Sequence, residues 1–585
     1  MNIIVPQHIY FLVGLLCFAF LFLAFALYSW SLLRNYQAAK HLQIPIIITP
    51  VSWQQPLWML LGETVGRPIQ RLPLCRWSLY SRFGWQMYDK YRLHANLGPV
   101  FVIVSPADNE VVVSDPEVAT RILHKWRQFP KSAIQTKVFE IFGPNVGTIW
   151  DDDWARHRKM VSVGFKESNY GLVWETTRRQ TDKLVESWAK AGRQQKLASL
   201  EEITDAVSAL ALHVLVVAGF GKKEDNDNDN GNNDKDHTYL TTAPGHKLSY
   251  IDCLKAILRN MIATSLLQSF TISDILLPKS LRLLKQANRE FRAYMAERVE
   301  VERRDIAMRK TTSQSNLLSS LVSANEVSRS QGNSAIAKNK LFLSDSELRG
   351  NFFTFNLAGY ETTSGVLSYA IPWLAVREDV QAWVYEETCA VLNGSLSYAE
   401  SFPKLTRCLA VLVSRLKERS TQKRTELTKN LTQPRYTNEE SRVLTIRGAE
   451  IPVPKHTYVT ISCTTLMTDP VLWGADSLEY NPFRWIRTAE TDKGPREQIM
   501  EPPEGTFIPW SHGPRVCQGK KWSQVEFVAV IAFLVRNNRI EVARRNGESK
   551  LDAALRLKNI LEDSYMNITP KIRCPREGGI ICKKR

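Results

Sequence analysis

The longest uninterrupted apolar stretch of the chain lies near its N-terminus, where residues 9–33 contain no charged side chain. At about 1.5 Å per residue, a helix of this length exceeds the roughly 30 Å hydrocarbon core of a bilayer. A cleaved signal peptide is the alternative, but the run is long for one and no Lys or Arg precedes it. Residues 1–40 are therefore predicted to form a single-pass membrane anchor, with Arg34 and Lys40 on the cytosolic side.

Beyond the anchor, apolar and polar positions alternate with the periods of helices and a few strands. Five prolines between residues 45 and 73 predict a stiff linker over residues 41–74. Apolar runs at 99–104 and 109–114 predict two short strands, and Asp115-Pro116 after them predicts the start of a helix. Helical spacings over residues 288–304 and 520–534 predict further helices. We expect a mainly α-helical domain with a small β region over residues 75–585.

Two segments have too few apolar residues to contribute to a core. Residues 222–237 consist of charged residues with Asn, Gly and His, and residues 311–339 are rich in Ser and Asn. Both are predicted to be disordered loops. The first resembles a calcium loop, but His237 stands where an EF-hand needs a bidentate Glu, so no calcium site is expected.

Composition excludes several other classes of function. The formal net charge is +17, yet the basic residues are spread along the chain without a nucleic-acid-binding motif, so no nucleic-acid partner is expected. Nine cysteines occur without any C-x-x-C spacing, which indicates neither a zinc site nor a disulfide framework. The bulk of the chain is expected in a reducing compartment.

The most informative stretch is residues 510–519, Trp-Ser-His-Gly-Pro-Arg-Val-Cys-Gln-Gly. Cys517 precedes a predicted helix, whose N-terminus favours the ionised form of a thiol. Gly513 permits a tight turn, Gly519 allows backbone to approach a flat macrocycle, and Arg515 offers donors to a haem propionate. The alternative is that Cys517 is a small buried apolar residue, as a single cysteine in a large chain usually is.

This stretch resembles the cysteine signature of the cytochrome P450 family, F-x-x-G-x-R-x-C-x-G, with Trp510 in place of Phe. Upstream, residues 356–363 resemble the oxygen-activation motif A-G-x-[DE]-T-T of the family's central helix. The resemblance implies that Cys517 is the axial ligand of the haem iron and that Glu361 and Thr362 serve in oxygen activation. The alternative for Thr362 is a hydrogen bond to the carbonyl one turn back.

Two further motifs follow in the family's order. Trp154 and Arg158 resemble its W-x-x-x-R helix, in which both residues contact haem propionates. Residues 480–485, with Arg484, resemble its F-x-P-x-R-[FW] element. By itself, a Trp and an Arg four residues apart are often only an amphipathic helix edge.

The sequence departs from the family pattern at residues 413–434. The positions expected to carry E-x-x-R hold Ser414 and Lys417, and a polar, basic stretch follows. A formal E-x-x-R at residues 439–442 precedes a strand-like run and is interpreted as a decoy. Arg484 is therefore expected to lack its carboxylate partner, and the chain to incorporate little haem, through either a splicing error or gene degeneration.

The resemblance implies a haem b monooxygenase of the microsomal type, most similar to filamentous-fungal members. It would take electrons from an NADPH-dependent flavin reductase, docked beside Lys520 and Lys521, so NADPH would act only indirectly. It would insert one atom of O2 into an apolar small molecule at the endoplasmic reticulum membrane. The alternatives are a non-catalytic P450-like membrane protein and a haem-thiolate isomerase or dehydratase of peroxides, which needs no oxygen groove.

Overall fold

A computed structural model gives the architecture of the chain. It describes residues 7–585 with the exception of residues 74, 83, 133–135, 194–197, 222–241, 270–272, 309–315, 332–341, 395, 419–431, 438–439, 447, 493 and 567–569. The acidic segment 222–237 thus lies outside the described residues.

Helices dominate the described part of the chain, as the sequence predicts. In chain order they are α1 (Gln7–Lys40), α2 (Pro56–Ile69), α3 (Trp77–Tyr80), α4 (Gln86–Asp89), α5 (Arg92–Leu97), α6 (Pro116–His124), α7 (Asp151–Ser162), α8 (Glu167–Arg193), α9 (Leu200–Val214), α10 (Tyr250–Arg259), α11 (Met261–Ser269), α12 (Lys279–Ala307), α13 (Leu317–Gln331), α14 (Asp345–Val376), α15 (Glu378–Leu392), α16 (Tyr398–Ser401), α17 (Thr406–Glu418), α18 (Cys463–Thr468), α19 (Pro470–Trp473), α20 (Lys520–Asn537) and α21 (Lys550–Glu562). A π-helix (Leu215–Gly219) continues α9, and short 3-10 turns lie at Asp274–Leu276, Phe402–Lys404, Pro482–Trp485 and Gly513–Arg515.

The strands form a five-stranded sheet and several small ribbons. They are β1 (Ile46–Ile48), β2 (Val100–Val104), β3 (Asn109–Val113), β4 (Ala198–Ser199), β5 (Thr432–Tyr436), β6 (Arg442–Ile446), β7 (Ala449–Val453), β8 (Thr457–Ser462), β9 (Ile486–Thr491), β10 (Gly494–Ile499), β11 (Asn538–Val542), β12 (Ser564–Met566), β13 (Pro570–Ile572) and β14 (Gly579–Lys584). The main sheet has the order β1-β2-β3-β8-β5, with Val102 opposite Val111 and Val111 beside Val459. The two strands predicted at 99–114 are confirmed.

The central helix α14 passes through the core. It is apolar on nearly all sides, as expected for a helix surrounded by others. A capping box starts it: Ser344 accepts from the Glu347 N–H, and Glu347 accepts from the Ser344 N–H at 2.7 Å. Glu347 also forms an ion pair with Arg156 of α7, 2.5 Å between Nη2 and Oε1, which ties α7 to the start of α14.

Helix α1 has the length and apolar composition of a membrane span. The most apolar 18-residue window of Gly14–Lys40 has a mean hydropathy of 2.1 and no buried residue, whereas 61% of the corresponding window of the second apolar segment of the described chain, Leu200–Gly219, is buried, as in a core helix. The C-terminal end of α1 contacts the turn between β2 and β3, where Asn35 Nδ2 donates to the Ser105 carbonyl at 2.8 Å. Helix α1 therefore contacts the globular body directly.

The structure differs from two expectations about loops. Residues 41–74 contain α2 and β1, and β1 pairs with β2, because Ile46–Ile48 supply three β-branched residues in a row. Within the loop predicted at 311–339, the described residues form α13, so that part of the prediction is wrong. Leu317, Leu318, Leu321 and Val322 form an apolar stripe among the serines, and all four are buried.

Candidate active site

The loop before α20 presents Cys517. The Cys517 N–H donates to the Trp510 carbonyl at 2.9 Å, closing the loop, and α20 begins three residues after Cys517. Gly513 has φ +70°, and a Cβ there would lie 3.2 Å from the Leu123 carbonyl oxygen of α6, so the turn needs glycine. At Gly519 a Cβ would meet only ordinary contacts, the nearest at 3.8 Å to Cys517 Sγ. Packing within the described protein therefore does not explain that glycine.

The Cys517 side chain is accessible, although protein encloses its other sides. This enclosure raises the pKa of the thiol, and the Gly519 N–H and the charge of Arg158 only partly oppose it. Desolvation therefore outweighs the stabilisation that the helix N-terminus offers to the ionised thiol. A metal ion bound to the sulfur would supply the missing stabilisation, since a coordinating thiol is deprotonated.

Arg158 and Trp154 both reach the cysteine loop from α7. Arg158 Nη1 donates to the Val516 carbonyl at 2.7 Å, next to Cys517. The guanidinium of Arg515 lies 4.9 Å from the ring centroid of Trp154, and its Nη2 donates to the Ile149 carbonyl at 2.7 Å. The two motifs predicted to share a ligand are therefore adjacent.

Four cations gather on this side of the loop; we call Lys131, Arg158, Arg435 and Arg515 the cationic cluster. Desolvation and the charges of Arg435 and Arg158 lower the pKa of Arg515 to about 9. Lys131 is accessible on one side, yet lost hydration and the charges of Arg515 and Arg435 lower its pKa well below the ordinary value. A bound anion would offset this desolvation and mutual repulsion.

Sequence reasoning missed Lys131 and Arg435. Arg435 lies on β5, is 2% exposed, and has a pKa lowered to about 10 mainly by burial. The sequence gives only a weak indication of Arg435, because it follows Pro434, where resemblance to the family resumes at the end of the anomalous stretch. Trp126 and Trp150 were also missed; with Trp154 they enclose Arg515, whose guanidinium is 5.6 and 4.3 Å from their ring centroids. No spacing in the sequence links these residues.

The residues that resemble the oxygen-activation motif lie on a helix as predicted, here α14. Ala358 is exposed, and Gly359 and Thr362 are partly so, although most of the helix around them is buried. Thr362 Oγ1 donates to the Ala358 carbonyl at 2.7 Å, which is the alternative weighed for this residue. The two roles are compatible, because a hydroxyl that donates one hydrogen bond still accepts others.

Glu361 points to another element. Its carboxylate is buried and forms an ion pair with Lys571 of β13, 2.8 Å between Oε1 and Nζ. Gly359, beside it, faces the π-helix, where a Cβ would lie 3.0 Å from Leu215 Cδ1. Gly219 in turn lies near Trp522 of α20, so packed side chains connect α14 to the helix that follows Cys517.

The helix expected to carry E-x-x-R is present as α17, with different residues. Ser414 and Lys417 occupy the expected positions, and the buried Arg415 forms an ion pair with Glu418 one turn later. Lys417 donates to the Ser477 carbonyl and lies 5.0 Å from the Trp473 ring centroid. The described start of the anomalous segment, residues 413–418, is thus helical and mostly buried.

Arg484 has no carboxylate from α17, as predicted, but it has another partner. Its Nη2 forms an ion pair with Asp476, and Nη1 donates to the Trp473 carbonyl at 3.0 Å. Arg442 begins β6, so this arginine of the formal E-x-x-R lies on a strand and not on a helix.

Comparison with known families agrees with this arrangement. The sequence model of the family described as cytochrome P450 matches residues 70–560, most of the chain. The chain belongs to the cytochrome P450 family. A cytochrome P450 monooxygenase of Arthrobotrys oligospora is 25% identical over 558 residues, covering 90% of this chain and 91% of that protein. The cytochrome P450 monooxygenase ORF6 of Penicillium roqueforti is 27% identical over 559 residues, covering 88% and 90%.

A bacterial relative carries its electron donor in the same chain. The bifunctional cytochrome P450/NADPH–P450 reductase 2 of Bacillus subtilis is 22% identical over 517 residues, which cover 87% of this P450 but 42% of that protein. The match therefore spans less than half of that bifunctional protein.

The cofactor of the P450 family is haem b, and the residues at this site fit it. Arg515 Nη1 is buried without a hydrogen-bond partner among the described residues. The cationic cluster matches a group with two carboxylates, and Cys517 is a sulfur donor open on one side. Together they match the anionic edge and the metal of a haem.

Proposed function

We propose that this P450 is a membrane-anchored monooxygenase that inserts one atom of O2 into an apolar small molecule, with electrons from a separate NADPH-dependent flavin reductase. The observation that carries the proposal is the combination of an accessible Cys517 with the exposed Ala358–Thr362 face of α14. When bound, the haem supplies the oxygen chemistry, which a thiolate ligand promotes by donating electron density.

On the cysteine side, the residues of the chain would bind and orient the haem. Cys517 would supply the thiolate ligand of the haem iron, and Arg158 fixes its loop through the Val516 carbonyl. Arg515, Lys131 and Arg435 would hold the propionates by charge-assisted hydrogen bonds, with Trp154 beside them. Trp510 closes the loop through its carbonyl, Gly513 permits its turn, and Gly519 leaves room for the macrocycle.

On the opposite side, residues of α14 would give space to oxygen and deliver protons. The small side chain of Ala358 leaves space above α14, and the Thr362 hydroxyl offers a hydrogen bond there. Glu361 holds a proton path by exchanging its contact with Lys571 for water. A peroxide isomerase or dehydratase has no use for this face, so the residues favour the monooxygenase.

The anchor and the surface charges set the partners. Helix α1 would hold the P450 in the endoplasmic reticulum membrane with its catalytic domain in the cytosol. The exposed Lys520 follows the cysteine loop at the start of α20, and Lys521 lies 4.2 Å from the Phe402 ring centroid. These positive charges beside the loop would steer an acidic reductase to the face nearest Cys517.

Nothing in the structure favours the degenerate, non-catalytic alternative. The expectation of a haem-poor chain rested on an Arg484 without a carboxylate, and Asp476 removes that ground. The purified chain should carry stoichiometric haem and, with a P450 reductase and NADPH, should oxidise members of a panel of apolar substrates. Haem-poor protein would support degeneration, and peroxide rearrangement without NADPH would support the isomerase.

A further inference from the structure

Three potential metal ligands meet on the surface next to the cysteine loop. The ligand atoms of His124, Glu504 and His512 all lie within 4.8 Å of one another. His512 Nε2 is 3.0 Å from Glu504 Oε1, and the two imidazole centroids are 5.1 Å apart. His124 ends α6, and His512 lies five residues before Cys517.

The backbone brings these side chains together. Gly505, next to Glu504, has φ +78°, and a Cβ there would lie 2.2 Å from the Pro116 carbonyl oxygen of α6. Gly513, next to His512, is pressed against α6 at Leu123 in the same way. Two glycines thus fix the chain on either side of residues 506–511 against the helix that carries His124.

The hydrogen bonds of His124 suit a metal ligand. Its Nδ1 lies 3.0 Å from the Thr120 carbonyl oxygen, which can only accept, so Nδ1 carries the proton. The lone pair is then on Nε2. Metal-binding histidines commonly donate their other N–H to a carbonyl in this manner, which fixes the tautomer and the ring orientation.

An ion pair without metal is the simpler interpretation of the Glu504–His512 contact. That pair needs one imidazole, and it does not account for the second one, a ring nitrogen of which lies within 4.8 Å of the ligand atoms of both partners. Zinc bonds of about 2.0–2.2 Å at tetrahedral angles place two ligand atoms roughly 3.3–3.6 Å apart, so the widest pair, within 4.8 Å, needs to close by up to about 1.5 Å. Glu504 and His124 are exposed and can make that movement.

We propose that His124, Glu504 and His512 bind a divalent cation of the zinc class, with water in the remaining position. Two neutral imidazoles and one carboxylate form a ligand set that zinc accepts, and they carry one negative charge toward it. The ion would join α6 to the cysteine loop, two segments far apart in sequence. It would also add positive charge beside the face proposed for reductase docking.

The test is a zinc sulfate titration of the full-length, haem-loaded chain in detergent, in competition with a fluorescent zinc chelator. One ion per chain is expected. His124→Ala and His512→Ala should each weaken binding by more than the roughly 10- to 100-fold that loss of an outer-shell partner causes. His41→Ala, another exposed histidine, is the matched control and should bind like the parent.

Glu504→Gln keeps the shape of the side chain and removes its charge, so it reports on the site even if a histidine variant folds poorly. The carbon-monoxide difference spectrum without zinc checks the fold of each variant. Zinc-edge X-ray absorption should show nitrogen and oxygen neighbours with imidazole scattering. The proposal is overturned if the parent does not bind zinc stoichiometrically, or if Glu504→Gln and both histidine variants bind zinc as tightly as the parent. A sulfur neighbour in the absorption spectrum would overturn it as well.

Discussion

The buried pair Arg415–Glu418 gives the sharpest prediction about stability. The Arg415 side chain is 0% exposed and that of Glu418 6%. Arg415 also lies 5.1 Å from the ring centroid of Tyr369, but its Nε and Nη2 have no hydrogen-bond partner among the described residues. Glu418 is therefore the main compensation of a buried charge in the helix expected to carry E-x-x-R.

Replacing Glu418 with Leu should leave the Arg415 charge buried and uncompensated. Loss of one partner of a buried pair costs about 3–5 kcal/mol, a large share of a typical stability of roughly 5–15 kcal/mol. The double variant Arg415→Met with Glu418→Leu should recover most of the lost stability, because apolar residues of similar volume can replace a buried ion pair at little cost. Denaturant unfolding, followed by the thiolate-haem band and by circular dichroism, measures both effects.

The matched control is the accessible pair Arg377–Asp379, with side chains 31% and 55% exposed. Asp379→Asn should cost no more than about 1 kcal/mol. The reasoning is refuted if Glu418→Leu loses no more stability than this control, or if the double variant is as unstable as the single one.

The other predictions concern oxygen, protons and electron delivery. Thr362→Ala should uncouple NADPH consumption from product formation and release peroxide, with haem retained. The control Thr354→Ala removes the same kind of hydrogen bond to the carbonyl one turn back on α14 and should leave product formation coupled. Equal coupling in the two variants would mean that Thr362 has only a structural role in the helix. Burial raises the pKa of Glu526 to about 8, so between pH 4.5 and 8 the folded state holds a proton that the unfolded state has lost. The free energy of unfolding should therefore fall with rising pH by up to about 1.4 kcal/mol per pH unit. The denaturation midpoints of the parent and Glu526→Gln should diverge over this range, and midpoints that change in parallel with pH would contradict the assignment. Lys520→Glu with Lys521→Glu should slow reduction by the reductase and flatten its dependence on salt, as measured by stopped flow; an unchanged salt dependence would place docking elsewhere.

The sequence predicts elements where a local pattern determines them. The alternation over 99–114 and the Asp115-Pro116 start were enough for β2, β3 and α6, and Asp115 accepts from the Glu117 and Val118 N–H groups as an N-cap should. The motif residues of the site could be named because each motif keeps its own residues within one turn or loop.

What could not be predicted depends on contacts between distant segments. Arg435 joins Arg515 only because β5 pairs with β8, a register that no local pattern reveals. The partner of Arg484 was sought on the wrong helix, since Asp476 lies in an irregular turn. Helix α13 was missed because four apolar residues in a serine-rich context give little signal until Leu317 packs against Gly164.

The central claim, that Cys517 ligates the haem of an active P450, is tested most directly by the carbon-monoxide difference spectrum of Cys517→Ala. The parent and Cys574→Ser, which changes another accessible cysteine, should show the band of a thiolate-ligated ferrous haem. Cys517→Ala should lack it, although circular dichroism shows a folded helical protein. A thiolate band that persists in folded Cys517→Ala would contradict the account.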